Sequence, residues 1–317
     1  MRRKVLFITA FVLTTLVLAS GCTTTLKTVP HQAAWGIYEL DLLTQDVKLV
    51  YSSPETIQSS ALRLNNAGDS LLFASGDSNV DMEIFSIHTD GTNLSRLTDN
   101  EFWDLYPVWS PDDTRVAFLS MRDKDLDLYL MDADGADARK LYDSGSHDAD
   151  IDWAGDSIVF TSQFSIWRIG ADGTQPVRVT IPPGAGEWGN ANLPKGDYDP
   201  RLSHDGKRIV FERLEDVNQP NGGYNFFIIN IDGTGETRLT DNSYSQGLAN
   251  WAHSGDRLVY VVAAVNRVGK YDLYMMNSDG TENRNITPDY FSADFLCHSP
   301  VFSKDDSRIF FIGQWWK

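Results

Sequence analysis

Cysteine is scarce in this sequence. The 317 residues contain only Cys22 and Cys297, and Cys22 lies in an N-terminal segment with a separate role, so no internal disulfide is expected. Small exported domains are often held together by disulfides; here burial and hydrogen bonding must stabilise the fold. No motif flanks Cys297 that would activate its thiol, and we interpret it as a small buried apolar residue.

Basic residues are also few. The chain has 27 Lys and Arg against 44 Asp and Glu, a formal net charge of −17. Binding to nucleic acid depends on neutralising phosphates with basic side chains, so we expect no nucleic-acid partner. An acidic surface favours solubility and basic or cationic partners. An aromatic content of 12% indicates a globular chain rather than a disordered one.

Long apolar runs are confined to the N-terminus. Residues 5–18 are apolar apart from threonines and follow a positively charged start. The run is shorter than the ~20 residues that cross a bilayer, so it predicts an export signal. The sequence "LASGC" resembles a bacterial lipobox, which implies cleavage before Cys22 and lipidation of that residue. We therefore expect a signal peptide over 1–21 and a lipidated tether over 22–34; the alternative is an ordinary secretory signal with a chance cysteine.

The predicted lipid anchor sets the expected compartment. Thr23 follows the cysteine, where aspartate would oppose sorting to the outer membrane. We expect a protein of the bacterial cell envelope, on the periplasmic side of the outer membrane or at the cell surface, whose contact with the membrane is through the lipid alone. Cleavage removes three basic residues and leaves 24 basic against 44 acidic residues, a net charge of −20.

Helical periodicity is absent after the signal, and a repeat takes its place. An aromatic or leucine anchor recurs at spacings of 45, 44, 49, 49 and 51 residues, at Leu64, Trp109, Trp153, Leu202, Trp251 and Phe302. Each anchor precedes an acidic or glycine-bearing turn and a second apolar strand. A third strand, an Asp-Gly turn and a short fourth strand follow. Asp-Gly pairs are strong hairpin signals because tight primed turns need positive φ.

Four antiparallel strands in a unit of about 45 residues indicate a propeller blade. Five units are complete, whereas the sixth, "SPVFSKDDSRIFFIGQWW", stops after its second strand. The missing pair is found at 35–52, "WGIYELDLLTQDVKLVYS". The sequence therefore predicts an all-β, six-bladed propeller over 35–317, closed by strands from both termini in one shared blade.

The repeat also carries a family resemblance. The segments "PVWSPDDTRVAFLS", "DLYLMDADG" and "KLY" resemble the TolB-type propeller repeat, a WD-repeat-like unit of bacterial envelope proteins. The resemblance implies the propeller fold, an envelope location and recognition of an envelope protein or peptide. TolB has a further N-terminal domain, which we expect this chain to lack because only a short segment separates Cys22 from Trp35. We expect a monomer.

Loop lengths suggest where binding occurs. The second-to-third loops and the blade connections share one face of a propeller, and two of them are long here: 181–198 and 214–224. Variable loops on a rigid scaffold commonly carry recognition. Trp188, Tyr198 and Tyr224 offer aromatic anchors. The alternative is that both loops are tolerated insertions without a ligand.

Acidic residues are expected on the same face. Asp104, Asp148 and Asp197 each lie five residues before an anchor, which predicts a ring of carboxylates at the mouth of the central channel. Such a ring could receive a basic peptide or hold Ca²⁺. The segments "DSNVDM" and "DKDLDL" begin like calcium loops but lack the glycine of the sharp turn. We expect no resident cofactor, with Ca²⁺ at the mouth as the alternative.

Signals for catalysis are sparse. The chain has no Gly-x-Ser-x-Gly motif, and its six histidines are scattered. His147, Asp148 and His298 are the candidates for a transition-metal site, as in the sugar-acid lyases that have similar repeats. The predicted function is a binding scaffold that acts through an acidic, loop-rich face, without an assigned catalytic residue. The alternative is a metal-assisted polysaccharide lyase.

Overall fold

The computed structural model describes residues 27–77, 81–219, 222–241, 245–263 and 271–316. The predicted signal peptide and the lipidation site Cys22 lie outside these residues. The described part of the chain consists of strands, turns and loops. Within it, no helix has the length and apolar character that crossing a membrane requires.

The strands group into six sheets. The chain begins with β1 (Trp35–Asp41) and β2 (Val47–Ser53). Blade one follows, with β3 (Thr56–Ile57), β4 (Arg63–Leu64), β5 (Ser70–Asp77), β6 (Asp81–His88) and β7 (Ser95–Arg96). Blade two contains β8 (Asp104–Trp109), β9 (Arg115–Ser120), β10 (Asp127–Asp132) and β11 (Arg139–Tyr142). Blade three contains β12 (Asp148–Ala154), β13 (Ser157–Ser162), β14 (Ser165–Gly170) and β15 (Val177–Arg178).

Three further sets complete the ring. Blade four contains β16 (Gly196–Leu202), β17 (Arg208–Asp216), β18 (Gly223–Asn230) and β19 (Thr237–Arg238). Blade five contains β20 (Gln246–Trp251), β21 (Arg257–Ala263), β22 (Tyr271–Asn277) and β23 (Arg284–Asn285). The last strands are β24 (Phe295–Phe302) and β25 (Arg308–Trp315). Blade six has the strand order β2-β1-β25-β24.

The shared blade confirms the predicted closure. Strand β1 pairs antiparallel with β25, from Trp35 opposite Gln314 to Asp41 opposite Arg308. The architecture is thus the six-bladed β-propeller that the repeat predicts. In blade one the first strand is divided into β3 and β4, both of which pair with β5.

The N-terminal flank of the propeller is ordered. Residues 27–34, expected to belong to a polar tether, pack against blade six. Val29 is 8% exposed and joins the core there, and the ring of His31 stacks on Trp315 with centroids 4.4 Å apart. The described residues of the predicted tether thus have apolar and aromatic partners on the blade.

The hydrophobic core lies between successive blades. Between blades two and three, for example, Leu119 and Leu130 pack with Ile158 and Phe160, all at most 1% exposed. The second and third strands of each blade are covered by neighbouring blades on both faces, so their apolar runs are nearly continuous. Burial between rigid sheets therefore fixes the positions of the loops.

The Asp-Gly hairpins form as predicted, but their geometry differs from a primed turn. In the turn of blade three Gly173 has a φ of 80°, and Gln175, just after it, has a φ of 57°; the Asp172 carboxylate accepts the Thr174 N–H at 3.0 Å. A Cβ on Gly173 would lie 2.6 Å from the Leu141 carbonyl oxygen of blade two. The glycine therefore serves both the turn and the close approach of the preceding blade.

The first strand of blades two to six contains a β-bulge. Its register with the second strand is interrupted at the two residues that lie three and two positions before the anchor. Positive φ angles of 43–58° occur three residues before the anchor, at Tyr106, Asp150, Asp199, Leu248 and Ser299. Non-glycine residues adopt such angles infrequently, and a bulge redirects side chains. The side chains of these segments therefore do not alternate regularly between the two faces of the sheet.

Candidate functional site

Two faces of the ring are distinguished by their loops. The loop face carries the second-to-third loops and the blade connections, and the turn face carries the first-to-second and third-to-fourth turns. The long connection before blade four, residues 181–195, is on the loop face. Its backbone is hydrogen-bonded, with the Asn190 N–H donating to the Val217 carbonyl at 2.6 Å and the Lys195 N–H to the Glu187 carbonyl at 2.8 Å. This connection is an ordered extension of blade four.

The second predicted loop, 214–224, is shorter in the structure. Strand β17 extends to Asp216 and β18 begins at Gly223, so the loop comprises residues 217–222, of which 220–221 lie outside the described part. The predicted bounds are too wide because the two strands of the hairpin take up three residues at one end and two at the other.

The aromatic residues predicted as binding anchors have different environments. Trp188 is 68% exposed, whereas Tyr198 is 8% exposed and its hydroxyl donates to the Pro194 carbonyl at 2.6 Å. Tyr224 is half-buried and packs with Tyr198 and Leu214. Only Trp188 is available to a partner; the two tyrosines hold the connection against blade four.

Exposed apolar residues concentrate on the loop face. Of the nine large hydrophobic residues exposed in the described part of the chain, six lie there. Four belong to blade three or to the connection after it and are named here the loop-face patch: Phe164 (38% exposed), Ile181 (79%), Trp188 (68%) and Leu193 (42%). Clustered exposed apolar side chains commonly mark interaction sites.

The three predicted rim carboxylates are buried. Asp104, Asp148 and Asp197 are at most 1% exposed, so the expected ring of accessible carboxylates is wrong for them. Asp104 accepts the Asn100 side-chain amide at 2.7 Å and pairs with Arg122 at 3.2 Å. They are buried because each lies at the start of a first strand, beside the end of the second strand. Hydrogen bonds between polar side chains join the two strand ends there.

In blade five an uncharged residue, Gln246, occupies the equivalent position five residues before the anchor. Gln246 is 3% exposed and its amide donates to the Tyr224 carbonyl at 3.2 Å and to Thr240. Thr240 in turn accepts the Phe226 N–H at 2.9 Å. The side chain of Gln246 therefore ties the start of blade five to the third and fourth strands of the preceding blade four.

Asp148 has no basic partner among the described residues that offsets its burial. Burial raises its pKa to about 7, a hydrogen bond from Ser144 at 2.6 Å opposes this, and the charge of Asp127 adds to it. Its Oδ2 atom is buried without a hydrogen-bond partner in the described structure. Asp148 is therefore a proton-binding group within the physiological pH range.

Asp148→Asn is expected to weaken the pH dependence of stability. Between the ordinary pKa of 3.8 and the folded value of about 7, the folded state holds a proton that the unfolded chain has released. This contribution to the free energy of unfolding is present at low pH and is lost as the pH rises through the folded pKa, at up to about 1.4 kcal/mol per pH unit.

Urea unfolding at pH 4, 5.5 and 7 measures this effect. The matched control is Asp143→Asn, since the Asp143 side chain is 52% exposed and its pKa is lowered by hydrogen bonds from Gly145 and Lys140. A fall in stability from pH 4 to pH 7 that is the same in Asp148→Asn as in the parent chain would contradict the assignment.

The residues predicted as metal ligands are not assembled. His147 accepts the Leu126 N–H at 3.2 Å. His298 is 8% exposed, lies 3.3 Å from the Gln314 side chain and contacts Trp35 and Tyr271; burial lowers its pKa to about 4. In the described part of the chain, no three His, Cys, Asp or Glu side chains are grouped to hold a metal ion.

A lysine of strand β11, Lys140, contacts one of the two segments that resemble calcium loops. The carboxylates of Asp123 and Asp127 both contact the Lys140 ammonium, the latter at 2.7 Å, and Asp143 lies 3.2 Å from it. The other segment, 77–82, includes residues 78–80, which are outside the described structure. The Lys140 ammonium therefore supplies the positive charge that balances these carboxylates, in the place of a metal ion.

Two arginines meet inside the central channel. Arg63 and Arg201 occupy the position before the anchor in blades one and four, which are opposite blades of a six-membered ring. Both are at most 5% exposed, and Arg201 Nη2 lies 3.5 Å from the Ser60 carbonyl oxygen of blade one. Contact between opposite blades means that these side chains fill the middle of the channel.

Carboxylates lie on the loop-face side of the arginines. Asp199 pairs with Arg201, and the Asp199 N–H donates to Asp150 of blade three at 3.3 Å. Burial and the charge of Asp199 raise the pKa of Asp150 to about 6. The same two causes raise the pKa of the Glu212 carboxyl well above its ordinary range. This cluster is buried and charged, in contrast to the accessible rim that the sequence predicted.

A cavity of about 150 Å³ lies on the other side of the arginines and is named here the turn-face cavity. Strand ends and first turns line it, including Arg63, Arg201 and the anchor Trp109. His204 and His253 also line it, with ring centroids 4.0 Å apart. The sequence signal for this pair was their identical position, two residues after successive anchors.

Comparison with known proteins gives partial sequence matches and a full-length structural match. No protein-family model matches the chain. An uncharacterised protein of Agrobacterium fabrum is 30% identical over 182 residues, which are 55% of this chain and 59% of that protein. A TolB homolog of Chlorobium luteolum is 30% identical over 176 residues, 54% of this chain and 36% of that protein. The chain thus matches less than two thirds of the length of either relative.

Solved structures share the fold at low sequence identity. A structure assigned to TolB of Agrobacterium tumefaciens has a TM-score of 0.66 and 16% identity, covering 90% of this chain and 99% of that one. An oligogalacturonate lyase in complex with manganese has a TM-score of 0.51 and 12% identity, covering 91% and 98%. Likeness at such identity shows the fold alone. Together with the repeat, these findings show that the chain is a six-bladed β-propeller, part of which is similar in sequence to a TolB homolog.

Proposed function

We propose that the protein is a binding scaffold of the bacterial cell envelope that holds a protein partner on its loop face. The observation that carries the proposal is the loop-face patch, in which Trp188 is 68% exposed on an ordered connection. A rigid loop loses little conformational entropy on binding, and a tryptophan supplies a large contact area. The TolB-type fold supports an envelope location, and lipidation at Cys22 is part of the proposal.

Charge contributes to partner choice at the edge of the patch. Glu187, the residue before Trp188, is 61% exposed and pairs with Lys195 at 2.8 Å. Exposed carboxylates around an apolar centre favour a partner with basic residues at its periphery and speed its association. Binding energy is expected to come mainly from the apolar residues.

Trp188→Ala is expected to reduce recovery of the partner at least tenfold. Truncating a central aromatic residue of an interface commonly costs about 2 kcal/mol or more. A photo-crosslinking amino acid at position 193 of the same patch, in cells that export the protein, should give a discrete crosslinked species that Trp188→Ala protein does not compete away. Quantitative pulldown of the crosslinked partner gives the size of the loss.

The matched control is Leu43, which is 91% exposed on the turn face. A crosslinker at position 43 and the variant Leu43→Ala should leave both the crosslink pattern and the recovery unchanged. Equal losses for Trp188→Ala and Leu43→Ala, or a crosslink at position 43 alone, would contradict the assignment of the loop face.

A further inference from the structure

The turn-face cavity is lined by hydrogen-bond donors that have no acceptor. Within the described residues, Arg63 Nε, Arg201 Nε and Trp109 Nε1 are buried atoms without a hydrogen-bond partner. All three residues line the cavity, and Arg63 and Arg201 are 5% and 1% exposed. Arginine and tryptophan side chains can only donate hydrogen bonds, so each of these three atoms lacks an acceptor.

The remaining contacts of the two guanidinium groups hold them in place. Arg63 Nη1 donates to the Leu62 carbonyl at 2.8 Å and Arg201 Nη1 to the Pro200 carbonyl at 2.7 Å. Arg201 also pairs with Asp199. A charged donor that is buried without an acceptor costs more than an ordinary hydrogen bond contributes. An acceptor that enters the cavity therefore meets fixed donors.

We propose that the turn-face cavity binds a carboxylate group presented by an acidic side chain of a peptide. A volume of about 150 Å³ suits one side chain and is below the ~300–1,000 Å³ of pockets for whole small ligands. A guanidinium and an indole N–H suit a planar acceptor. Asp152 lies 3.7 Å from Arg63 Nε, and this existing negative charge favours a singly charged group over a dianion such as phosphate.

Access to the cavity is from the turn face. His204 on the rim is exposed and stacks on His253, and neither ring nitrogen of His253 has a hydrogen-bond partner in the described structure. The cavity lies on the opposite face from the loop-face patch. The inference is therefore independent of the proposed function, and either can fail alone.

Titration calorimetry of the full mature chain at pH 7 tests the inference with three probes. Acetyl-Ala-Glu-Ala-amide is expected to bind at least tenfold more tightly than acetyl-Ala-Gln-Ala-amide, which has the same shape without the charge. Inorganic phosphate is expected to bind more weakly than the glutamate peptide. Equal binding of the two peptides, tighter binding of phosphate, or no binding of the glutamate peptide at millimolar concentration would overturn the proposal.

Two variants locate the binding to the cavity. Arg63→Met is expected to weaken binding of the glutamate peptide at least tenfold, because it removes a charged donor. Trp109→Phe removes one neutral donor and keeps an aromatic ring at the cavity, and a threefold to tenfold loss is expected. The control Arg238→Met alters an arginine that is 40% exposed on the outer strand of blade four and should bind like the parent chain. Unchanged binding in folded Trp109→Phe and Arg63→Met proteins would overturn the assignment.

Discussion

Replacing Arg213 with methionine is expected to lower the free energy of unfolding by about 3–5 kcal/mol. Arg213 Nε and Nη2 donate to the two carboxylate oxygens of Asp197 at 2.6 and 3.0 Å, and Asp197 is 0% exposed. Methionine retains the packing of the arginine stem on Phe227, whose ring centroid lies 4.4 Å from the guanidinium carbon. The loss therefore reports the buried carboxylate that is left without its partner.

Arg238→Met provides the matched control for this effect. Arg238 lies over the same Phe227 ring at 6.0 Å, but its side chain is 40% exposed and its partners Glu215 and Asp241 are 35% and 86% exposed. An exposed pair contributes about 0–1 kcal/mol. Adding Asp197→Asn to Arg213→Met should restore part of the loss, because it removes the unpaired charge. Equal denaturant midpoints for Arg213→Met and Arg238→Met would show that the buried pair is not a strong stabiliser.

Tyr38→Ala is the second change with a large expected effect, again about 3–5 kcal/mol. Tyr38 is 1% exposed, and its ring contacts Phe295 and Phe311 with centroids 5.1 and 5.6 Å apart. These contacts join the N-terminal strand β1 to the C-terminal strands of blade six. Loss of the ring therefore weakens the closure of the propeller and exposes strand edges that can aggregate.

Two comparisons separate closure from ordinary core packing. Tyr38→Phe removes the hydroxyl, which donates to the Pro30 carbonyl at 3.1 Å and accepts the Trp315 Nε1–H at 3.3 Å, and about 1 kcal/mol for each hydrogen bond is expected. Phe118→Ala removes a ring that is 0% exposed in blade two and should cost a similar amount to Tyr38→Ala. Only Tyr38→Ala should speed hydrogen exchange in residues 35–53; equal exchange there in both alanine variants would contradict the role in closure.

The sequence was sufficient for the fold because the repeat is a property of many residues at once. Anchors such as Trp109 and Trp251 end the first strands of their blades. The half blade at 35–52 pairs as expected with the strand that ends at Trp315. A blade cannot bury its apolar strands alone, so six copies of one pattern in this order have few alternative arrangements.

The candidate site was predicted less well, since single side chains depend on local geometry. Asp104, Asp148 and Asp197 share one repeat position, and that regularity indicates a repeated structural role as readily as a ring of ligands. The bulge at Asp150 and Asp199 changes which side chains meet in the channel. Arg63 also lies beside Arg201 of blade four, which is 138 residues further along the chain. Such long-range pairing cannot be obtained from spacing within one repeat.

The pairing of β1 with β25 has a mechanical consequence. Trp35 lies opposite Gln314, and the Trp315 N–H donates to the Ala34 carbonyl at 2.8 Å, so both strands leave the pair at the same end. Tension applied between these two ends would break the hydrogen bonds of the pair one after another, because the force acts on the outermost bond first. The ring therefore yields to pulling on its ends more readily than the size of its core would suggest.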